Sequence, residues 1–316
     1  MFNQPFIRLE YVWNYNLKHM ELISQVFPVV AQSDQDNSQL ILQILNVSGF
    51  VIAMVVNGGS QGVMKYSLSD ITNQWDARID PAGYAFSIWG LIYSLLGVFT
   101  IYQALPDSMV PTRNNDLVFG QINYLFFANM LINSIWLVLF QTNTLWGFAA
   151  GLVDIIAMLA TNVYIMWLST NDSVNVYEWI GLRGGFSIYA GWVTAATILN
   201  AVYFLKAAGM ADPNILWGFD EENITVIILW IAFGIYTMRS YWDRNPLYGS
   251  VLMWVILAIR NNIVNNKAQY TSISDAATQI AIIHGISMVG LWSWVSAEAW
   301  YDVSGIEGWN NKGIWY

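Results

Sequence analysis

Asp154 is the ionisable residue whose position most directly suggests chemistry, because it lies within an otherwise apolar segment. It comes about nine residues into the predicted helix 145–168, or roughly 13 Å along the helix axis. If that helix crosses a bilayer, a carboxylate at this depth is costly unless it is paired, hydrated or protonated. Two interpretations stay open: Asp154 belongs to a functional site, or it makes a structural hydrogen bond to a neighbouring helix.

Amide and indole side chains recur at helical spacing in two further segments. Asn129 and Asn133 are four residues apart, so both amides lie on one helix face. Trp192 and Asn200 are eight residues apart, about two turns along one face. Buried amides in a membrane need partners, so we expect these faces to point into a helix bundle. The simplest interpretation of the face with Trp192 and Asn200 is the contact between two helices.

An aromatic stripe follows Pro81, where the chain enters a long apolar run. Phe86, Trp89 and Tyr93 are spaced by three and four residues, which places them on one helix face. The run 82–104 has no charged residue and is about 23 residues long, enough to cross a hydrocarbon core of roughly 30 Å. The sequence therefore predicts a membrane-spanning helix with an aromatic stripe.

Groups that would identify an enzyme or a cofactor site are scarce. The sequence has no phosphate-binding glycine loop, no G-x-S-x-G motif, no histidine cluster with metal-ligand spacing and no cysteine. The sequence therefore favours a protein that is not an enzyme, and an enzymatic activity stays open. His284 is either a proton-handling group or haem ligand or, as we prefer, a hydrogen-bonded structural residue. For Arg260, we expect the side chain to reach the membrane surface, and pairing with an acid is the other interpretation.

The composition defines the class of protein. Hydrophobic residues make up 56% of the 316 residues and charged residues only 10%, against about 25% in soluble domains. The apolar segments are continuous rather than alternating, which favours helices over strands. We therefore expect an all-α, polytopic transmembrane helical bundle in a membrane that the sequence does not specify. The net charge is −9 and the sequence has no block of basic residues, so nucleic acid is not an expected partner.

About eight spans are predicted from the apolar segments. They cover residues 40–56, 82–104, 117–140, 145–168, 183–205, 224–238, 247–263 and 276–297. The weakest is 224–238, which is flanked by Trp217 and Trp242, two residues suited to the membrane interfaces. Lys and Arg are divided too evenly between the two sides to set the orientation.

The two ends of the chain differ from its apolar part. Residues 1–39 mix apolar and charged side chains, so we expect an amphipathic segment on the membrane surface or on a partner, ending in a polar linker at residues 32–37. Residues 299–316 form an aromatic and acidic tail that we expect at the interface or against a partner. The pattern Gly147-x-x-x-Gly151 suits close helix approach and, as a second interpretation, dimerisation.

Four helix signatures, taken in order, resemble the translocator protein family, also called tryptophan-rich sensory proteins (TspO/MBR). The matching residues are Pro81, Trp89, Tyr93, Asn133, Trp136, Asp154, Tyr189, Trp192, Ala196, Leu199 and Asn200. The sequence departs from the family pattern at Ile188 and Asp80, where the family has prolines. Trp75 lies a few residues from the position of the family's loop tryptophan.

The resemblance covers about residues 40–205 and implies a five-helix unit, 40–206, followed by an additional three-helix region, 207–298. It also implies that the aromatic stripe faces inward. The implied ligand-binding set is Pro81, Phe86, Trp89, Tyr93, Asn133, Trp136, Asp154, Tyr189, Trp192 and Asn200. Members of the family bind porphyrins and, in animals, cholesterol, so the implied ligand is a tetrapyrrole, a sterol or another lipid.

Two functions from different classes follow from these observations. The first is a translocator-like membrane protein that binds a hydrophobic or tetrapyrrole-like ligand within the helix bundle. The alternative is a structural or accessory subunit of a larger membrane assembly that keeps the fold as scaffold. The expected partners are membrane lipids and either further copies of the chain or other membrane subunits. A transporter that uses Asp154 is a third interpretation, weakened by the lack of a clear inverted repeat.

Overall fold

The structure is a computed structural model, and it describes residues 28–172, 174–210 and 220–304. All regular structure in this part of the chain is helical, which confirms the predicted all-α fold class. Most of the predicted surface segment 1–39 lies outside the described residues, as do residues 305–316 of the predicted aromatic tail. Those two predictions stay predictions.

The helices follow one another with short connections. In chain order they are α1 (Pro28–Val63), α2 (Leu68–Trp75), α3 (Ile88–Ala104), α4 (Leu125–Gln141), α5 (Leu145–Asn171), α6 (Gly185–Ala207), α7 (Glu221–Trp242), α8 (Pro246–Asn266) and α9 (Thr271–Ser304). Shorter helical pieces precede three of them: a 3₁₀ turn, Gly83–Ser87, before α3; a π-helical segment, Asp116–Ile122, before α4; and Val176–Glu178 with the π-helical segment Trp179–Gly184 before α6.

Helix α1 is already formed at Pro28, so the polar linker predicted at residues 32–37 is wrong: these residues are helical. Proline fits the first turn of a helix because its missing N–H has no partner there. The chain divides into two compact units within this helix, Met1–Leu45 and Asn46–Tyr316. The described part of the first unit is the N-terminal part of α1, and all other described residues belong to the second.

Seven helices in the described residues are long and apolar enough to cross a membrane. They cover Asn37–Ser60, Gly83–Ala104, Leu145–Thr170, Val176–Ala207, Glu221–Trp242, Pro246–Asn266 and Thr271–Glu298. Each corresponds to one predicted span, including the weak one at 224–238. The chain is therefore a multi-pass integral membrane protein.

The predicted span 117–140 is bent rather than continuous. Its π-helical start, Asp116–Ile122, and helix α4 meet at an angle of 59°. Asn123 lies between them with a φ of 49°. This backbone conformation, with a positive φ and a ψ of −126°, interrupts the right-handed helix. The bent pair supplies an eighth candidate span.

Close helix contacts join the N-terminal and C-terminal parts of the bundle. Helix α5 packs on α4 and α6, α6 also packs on α8, and α7, α8 and α9 pack on one another. At Gly191 of α6, an added Cβ would lie 2.8 Å from Val251 Cγ2 of α8, so the glycine permits this contact. An added Cβ at Gly147 would lie 2.7 Å from Leu139 O. That end of the GxxxG pattern therefore serves close approach within the chain, and dimerisation stays a prediction.

Candidate ligand cavity

Helix α3 carries the predicted aromatic stripe, and the turn before it fixes how the stripe is presented. The 3₁₀ turn Gly83–Ser87 connects Pro81 to α3. Trp254 of α8 donates a hydrogen bond from Nε1 to Ala85 O at 2.9 Å, which holds the turn against the C-terminal helices. The stripe itself is half-buried, whereas Ile92 on the adjacent face is fully buried. The stripe therefore lies at the flank of α3 rather than on its most buried face.

Trp89 is the centre of a group of aromatic rings. Its ring centroid lies 5.3 Å from that of Tyr93, 5.7 Å from Tyr189, 6.3 Å from Trp192 and 6.5 Å from Trp136. These rings come from α3, α4 and α6, so the stripe points towards neighbouring helices, as the resemblance implied. Aromatic pairs at such separations contribute about 0.5–1.5 kcal/mol each beyond the burial of area.

A cavity of about 60 Å³ lies beside these rings. Six of the ten predicted ligand-binding residues line it: Pro81, Phe86, Trp89, Trp136, Trp192 and Asn200. Ala195, Ala196 and Leu199 continue the lining along α6. A cavity needs roughly 10–15 Å³ to hold one water molecule, so the present volume matches a few waters. The structure thus brings together side chains that are far apart in sequence around a small, mainly apolar space.

The C-terminal helices form the other wall of this cavity. Leu229, Ala232 and Tyr236 of α7 line it, together with Leu252, Val255, Ile256 and Ile259 of α8. Sequence reasoning missed these residues because an apolar side chain that faces a cavity is of the same type as one that faces lipid. Helices α7 and α8, which lie beyond residue 206, therefore belong to the site.

Asn200 orients one of the tryptophan rings. Trp136 Nε1 donates a hydrogen bond to Asn200 Oδ1 at 3.0 Å, and Asn200 Nδ2 donates to Ala196 O at 2.8 Å. Both residues are buried. Because the Asn200 oxygen is already used by the indole, its direct effect is to fix the Trp136 ring at the cavity wall.

Three of the other predicted residues form a separate polar group within the bundle. Asn133 Oδ1 accepts hydrogen bonds from Tyr93 OH at 3.0 Å and from Asn57 Nδ2 at 2.9 Å. Tyr189 OH and Asn133 Nδ2 both approach Met158 Sδ, at 3.2 and 3.8 Å. Asn57 was not predicted, because no sequence signal pairs it with α4. These side chains link five helices, α1, α3, α4, α5 and α6, and do not line the cavity.

The buried amide pair predicted on α4 is present. Asn129 and Asn133 are both fully buried. Asn129 Nδ2 donates to Asn162 Oδ1 at 2.9 Å and to Thr161 Oγ1 at 2.7 Å, both on α5. The amide face of α4 therefore points into the bundle, as expected.

Asp154 is not brought into the cavity. It lies on α5 and is partly buried. Its Oδ2 atom is buried and has no hydrogen-bond partner within the described part of the chain. The structure therefore gives this oxygen neither the predicted helix-to-helix hydrogen bond nor a place beside the cavity-lining tryptophans.

Helix α2 and the loop 76–82, here called the cover, close one end of the cavity. Leu68, Thr72 and Ile79 of the cover line it together with Pro81. Trp75 Nε1 donates to Asn143 Oδ1 at 2.7 Å, which attaches α2 to the turn between α4 and α5. Trp75, the last residue of α2, thus anchors the cover.

Charged residues fasten the cover to the C-terminal helices. Lys267, at the end of α8, lies 2.6 Å from Asp76 Oδ1 and donates to Ala77 O at 2.9 Å. Glu221, at the start of α7, pairs with both Arg78 and Lys206, at 3.5 and 2.8 Å. Because these partners are distant in sequence, no local pattern predicted them.

Asp80 sits beneath this group of charges. Tyr203 OH donates to its Oδ1 at 2.8 Å, and Asn262 Nδ2 donates to its backbone oxygen at 2.9 Å. Burial raises the pKa of Asp80 to about 6, although the Tyr203 hydrogen bond and the nearby charge of Lys267 act in the opposite direction. The cover therefore contains a buried carboxyl group whose pKa lies well above its usual range.

His284 and Arg260 have ordinary hydrogen-bonding partners. His284 is fully buried, with Nε2 at 2.9 Å from Gly249 O and Nδ1 at 3.0 Å from Thr237 Oγ1. Both ring nitrogens are thus engaged with neighbouring helices. Arg260 is exposed and donates a hydrogen bond from Nε to Thr278 Oγ1 at 2.8 Å. This partner is a hydroxyl group and not the acid that the second interpretation required.

These features define a polytopic helical membrane protein with an aromatic-lined internal cavity. The chain belongs to the TSPO-like protein family, whose family model matches residues 43–290. The matched range extends past the predicted unit 40–206 and includes α7 and α8, which complete the cavity, and most of α9. No curated protein and no solved structure matches the sequence.

Proposed function

We propose that this TSPO-like membrane protein binds a hydrophobic, planar ligand of the tetrapyrrole or sterol class in the cavity beside Trp89. The observation that supports this most is the convergence of Trp89, Trp136 and Trp192 with an apolar wall from α7 and α8. Indole rings offer large flat surfaces that pack against a flat ligand. The lining presents few polar groups, so the ligand's hydrophobic body supplies most of the binding free energy.

The size of the cavity implies movement during binding. Ligand pockets are typically about 300–1,000 Å³, whereas this cavity has a volume of about 60 Å³. A tetrapyrrole or a sterol therefore enters only if side chains or the cover move outwards. Cover residues Leu68, Thr72 and Ile79 line the cavity, so the cover is the segment we expect to move.

Tryptophan fluorescence tests the proposal. Purified protein in detergent is titrated with protoporphyrin IX, and quenching gives the dissociation constant. We expect Trp192→Ala and Trp89→Ala each to weaken binding about 10-fold, because each removes one flat face of the site. Trp242→Ala is the matched control, since Trp242 is 86% exposed and lies at the end of α7. Equal affinities in all four proteins would exclude this cavity as the porphyrin site.

A second titration separates the ligand classes. Cholesterol, added in the same detergent, competes with the porphyrin if both occupy the cavity. Competition that raises the apparent porphyrin dissociation constant in wild-type protein supports a shared site. Binding of both ligands without competition would assign the sterol elsewhere.

The scaffold function is favoured by one specific observation, the small volume of the cavity. A bundle whose aromatic rings pack mainly against one another needs no ligand to be stable. In that case the protein is a structural or accessory subunit, and its partner is another membrane protein. Native mass spectrometry in mild detergent discriminates: a monomer or plain dimer that carries pigment contradicts the scaffold function, and a ligand-free hetero-complex contradicts the ligand-binding function.

A further inference from the structure

A second opening lies between α5, α6 and α7, apart from the cavity beside Trp89. It is a crevice of about 320 Å³. Its apolar walls are Leu159 and Val163 of α5, Ile198 of α6 and Ile235 of α7. Ile235 is 43% exposed, so the crevice is open to the outside of the bundle, where the bilayer lies. A crevice of this volume has room for part of a hydrocarbon chain without rearrangement.

Arg239 lies at one end of the crevice. It comes three residues before Trp242, the last residue of α7, so it lies about 4–5 Å from the helix end and near the membrane surface. Its side chain is 31% exposed and pairs through Nε with Asp243, whose side chain is 6% exposed. Within the described part of the chain, the two Nη atoms have no hydrogen-bond acceptor. The outward side of the guanidinium is therefore available to a ligand.

The apolar residues of the crevice lie deeper in the membrane than Arg239. Ile235 is one helical turn further from the end of α7. Leu159 is twelve residues before Asn171, the end of α5, so it lies about 18 Å along the axis from that end. Half of a hydrocarbon core is roughly 15 Å thick. The crevice thus runs from a cation at the surface to apolar side chains near the middle of the membrane.

We infer that this crevice binds a phospholipid of the surrounding bilayer. The phosphate accepts hydrogen bonds from the Nη atoms of Arg239, and one acyl chain lies along Leu159, Val163 and Ile198. Guanidinium groups bind phosphate oxygens through parallel N–H donors. The phosphates of a bilayer lie in the headgroup layer just outside the hydrocarbon core, at the level of Arg239. The second acyl chain stays in the bilayer. The site is independent of the cavity, although Ile198 lines both.

Native mass spectrometry after graded removal of lipid tests this inference on the full chain. The probe is palmitoyl-oleoyl phosphatidylglycerol, added back to delipidated protein. We expect one phospholipid to remain on wild-type protein, and Arg239→Gln to weaken its binding at least 10-fold. Asp243→Asn is expected to strengthen binding, since it frees the guanidinium from its internal partner. A bound lipid that is equally stable in wild type and Arg239→Gln would overturn the site.

Two further variants serve as controls for misfolding and for lipid binding at other sites. Arg244→Gln removes an exposed cation on the same side of the membrane, whose partner is Glu298 and which does not line the crevice. It is expected to retain the lipid. Thr197→Phe fills the crevice from α6 and is expected to release the lipid while Arg239 stays in place. Retention by Thr197→Phe, in protein with unchanged helicity and unfolding temperature, would also overturn the inference.

Oleate provides the last arm of the experiment. It has an acyl chain and a carboxylate but no phosphodiester. Binding of oleate at least 10-fold weaker than that of the phospholipid supports the phosphate contact. Equal affinity would contradict the assignment of a phospholipid.

Discussion

At the scale of single residues, the pKa of Asp80 makes the stability of the protein depend on pH. Burial raises its pKa from 3.8 to about 6, so the folded protein binds a proton more tightly there than the unfolded chain does. The contribution to stability is therefore complete below pH 4 and is lost as the pH rises through about 6. Two pKa units correspond to up to about 3 kcal/mol.

We expect Asp80→Asn to remove this pH dependence. The amide oxygen still accepts the hydrogen bond from Tyr203, and no buried charge forms at neutral pH. Thermal unfolding of the detergent-solubilised protein between pH 4.5 and 7.5 checks this. The wild-type unfolding temperature should fall across that range, whereas that of Asp80→Asn should stay nearly flat. Parallel curves for the two proteins would show that Asp80 does not titrate in this window.

The residue scale also shows why part of the site was predictable. The family resemblance implied that Trp89, Trp136 and Trp192 share one site, whereas helical spacing alone gives only the helix face on which each lies. The partner of Asn133 could not be predicted, since Asn57 is 76 residues away and no spacing relates the two. Lys267 and Ala77 are 190 residues apart, and their contact depends entirely on how the last helices fold back.

At the scale of elements, two arginine side chains bind the C-terminal carbonyl groups of helices; Arg113 is buried and Arg183 is half-buried. Arg113 donates from Nη1 to Gln103 O at 2.9 Å and to Leu105 O at 2.7 Å, at the C-terminus of α3, and its guanidinium also pairs with Asp107. Arg183 donates to Ser169 O from both Nε and Nη2, at the C-terminus of α5. Such contacts satisfy helix-end carbonyls that otherwise lack donors.

We expect Arg113→Lys to destabilise the protein by about 2–3 kcal/mol, because an ammonium cannot reach several carbonyls with the geometry of a guanidinium. Arg260→Lys is the matched control, since Arg260 is exposed and its one side-chain hydrogen bond within the described residues goes to Thr278. Its expected effect is below about 0.5 kcal/mol. Chemical unfolding in mixed micelles measures both variants. Similar losses of unfolding free energy in the two variants would mean that the planar geometry of the Arg113 guanidinium does not contribute to stability.

One element, the predicted span 117–140, has a bend that the sequence pattern does not indicate. The continuous apolar segment 117–140 predicts one helix, yet the chain bends at Asn123. An asparagine with a positive φ is indistinguishable in sequence from one inside a helix, so the bend could not be predicted. The spans themselves could be, because the length of the hydrocarbon core fixes the length of each apolar run.

At the scale of the whole molecule, the predicted division into a unit 40–206 and a region 207–298 stays a prediction. The cavity, however, has walls from both stretches, and the family match covers 43–290. The ion pairs of Glu221 and Lys267 add to this connection. We therefore expect the C-terminal helices and the ligand cavity to respond together when their contact is changed.

Gly191 is the position at which this expectation is tested most directly. A methyl group there would lie 2.8 Å from Val251 Cγ2 and 3.0 Å from Tyr248 O, so Gly191→Ala must push α8 away from α6. Overpacking of this kind costs about 1–3 kcal/mol. It should also displace Leu252 and Val255 of the cavity wall and weaken porphyrin binding. Unfolding and porphyrin titrations are measured on the same preparations.

Gly90→Ala is the control for this substitution. Gly90 lies in α3, and an added Cβ would have no heavy atom within 4 Å. Alanine is the better helix former by about 0.5–1 kcal/mol, so this variant should be slightly more stable, with unchanged porphyrin affinity. If Gly191→Ala lowers stability but leaves porphyrin affinity at the wild-type value, α8 is a structural support and not a wall of the binding site. If both glycine variants behave alike, the close approach of α6 and α8 is not what holds the C-terminal helices in place.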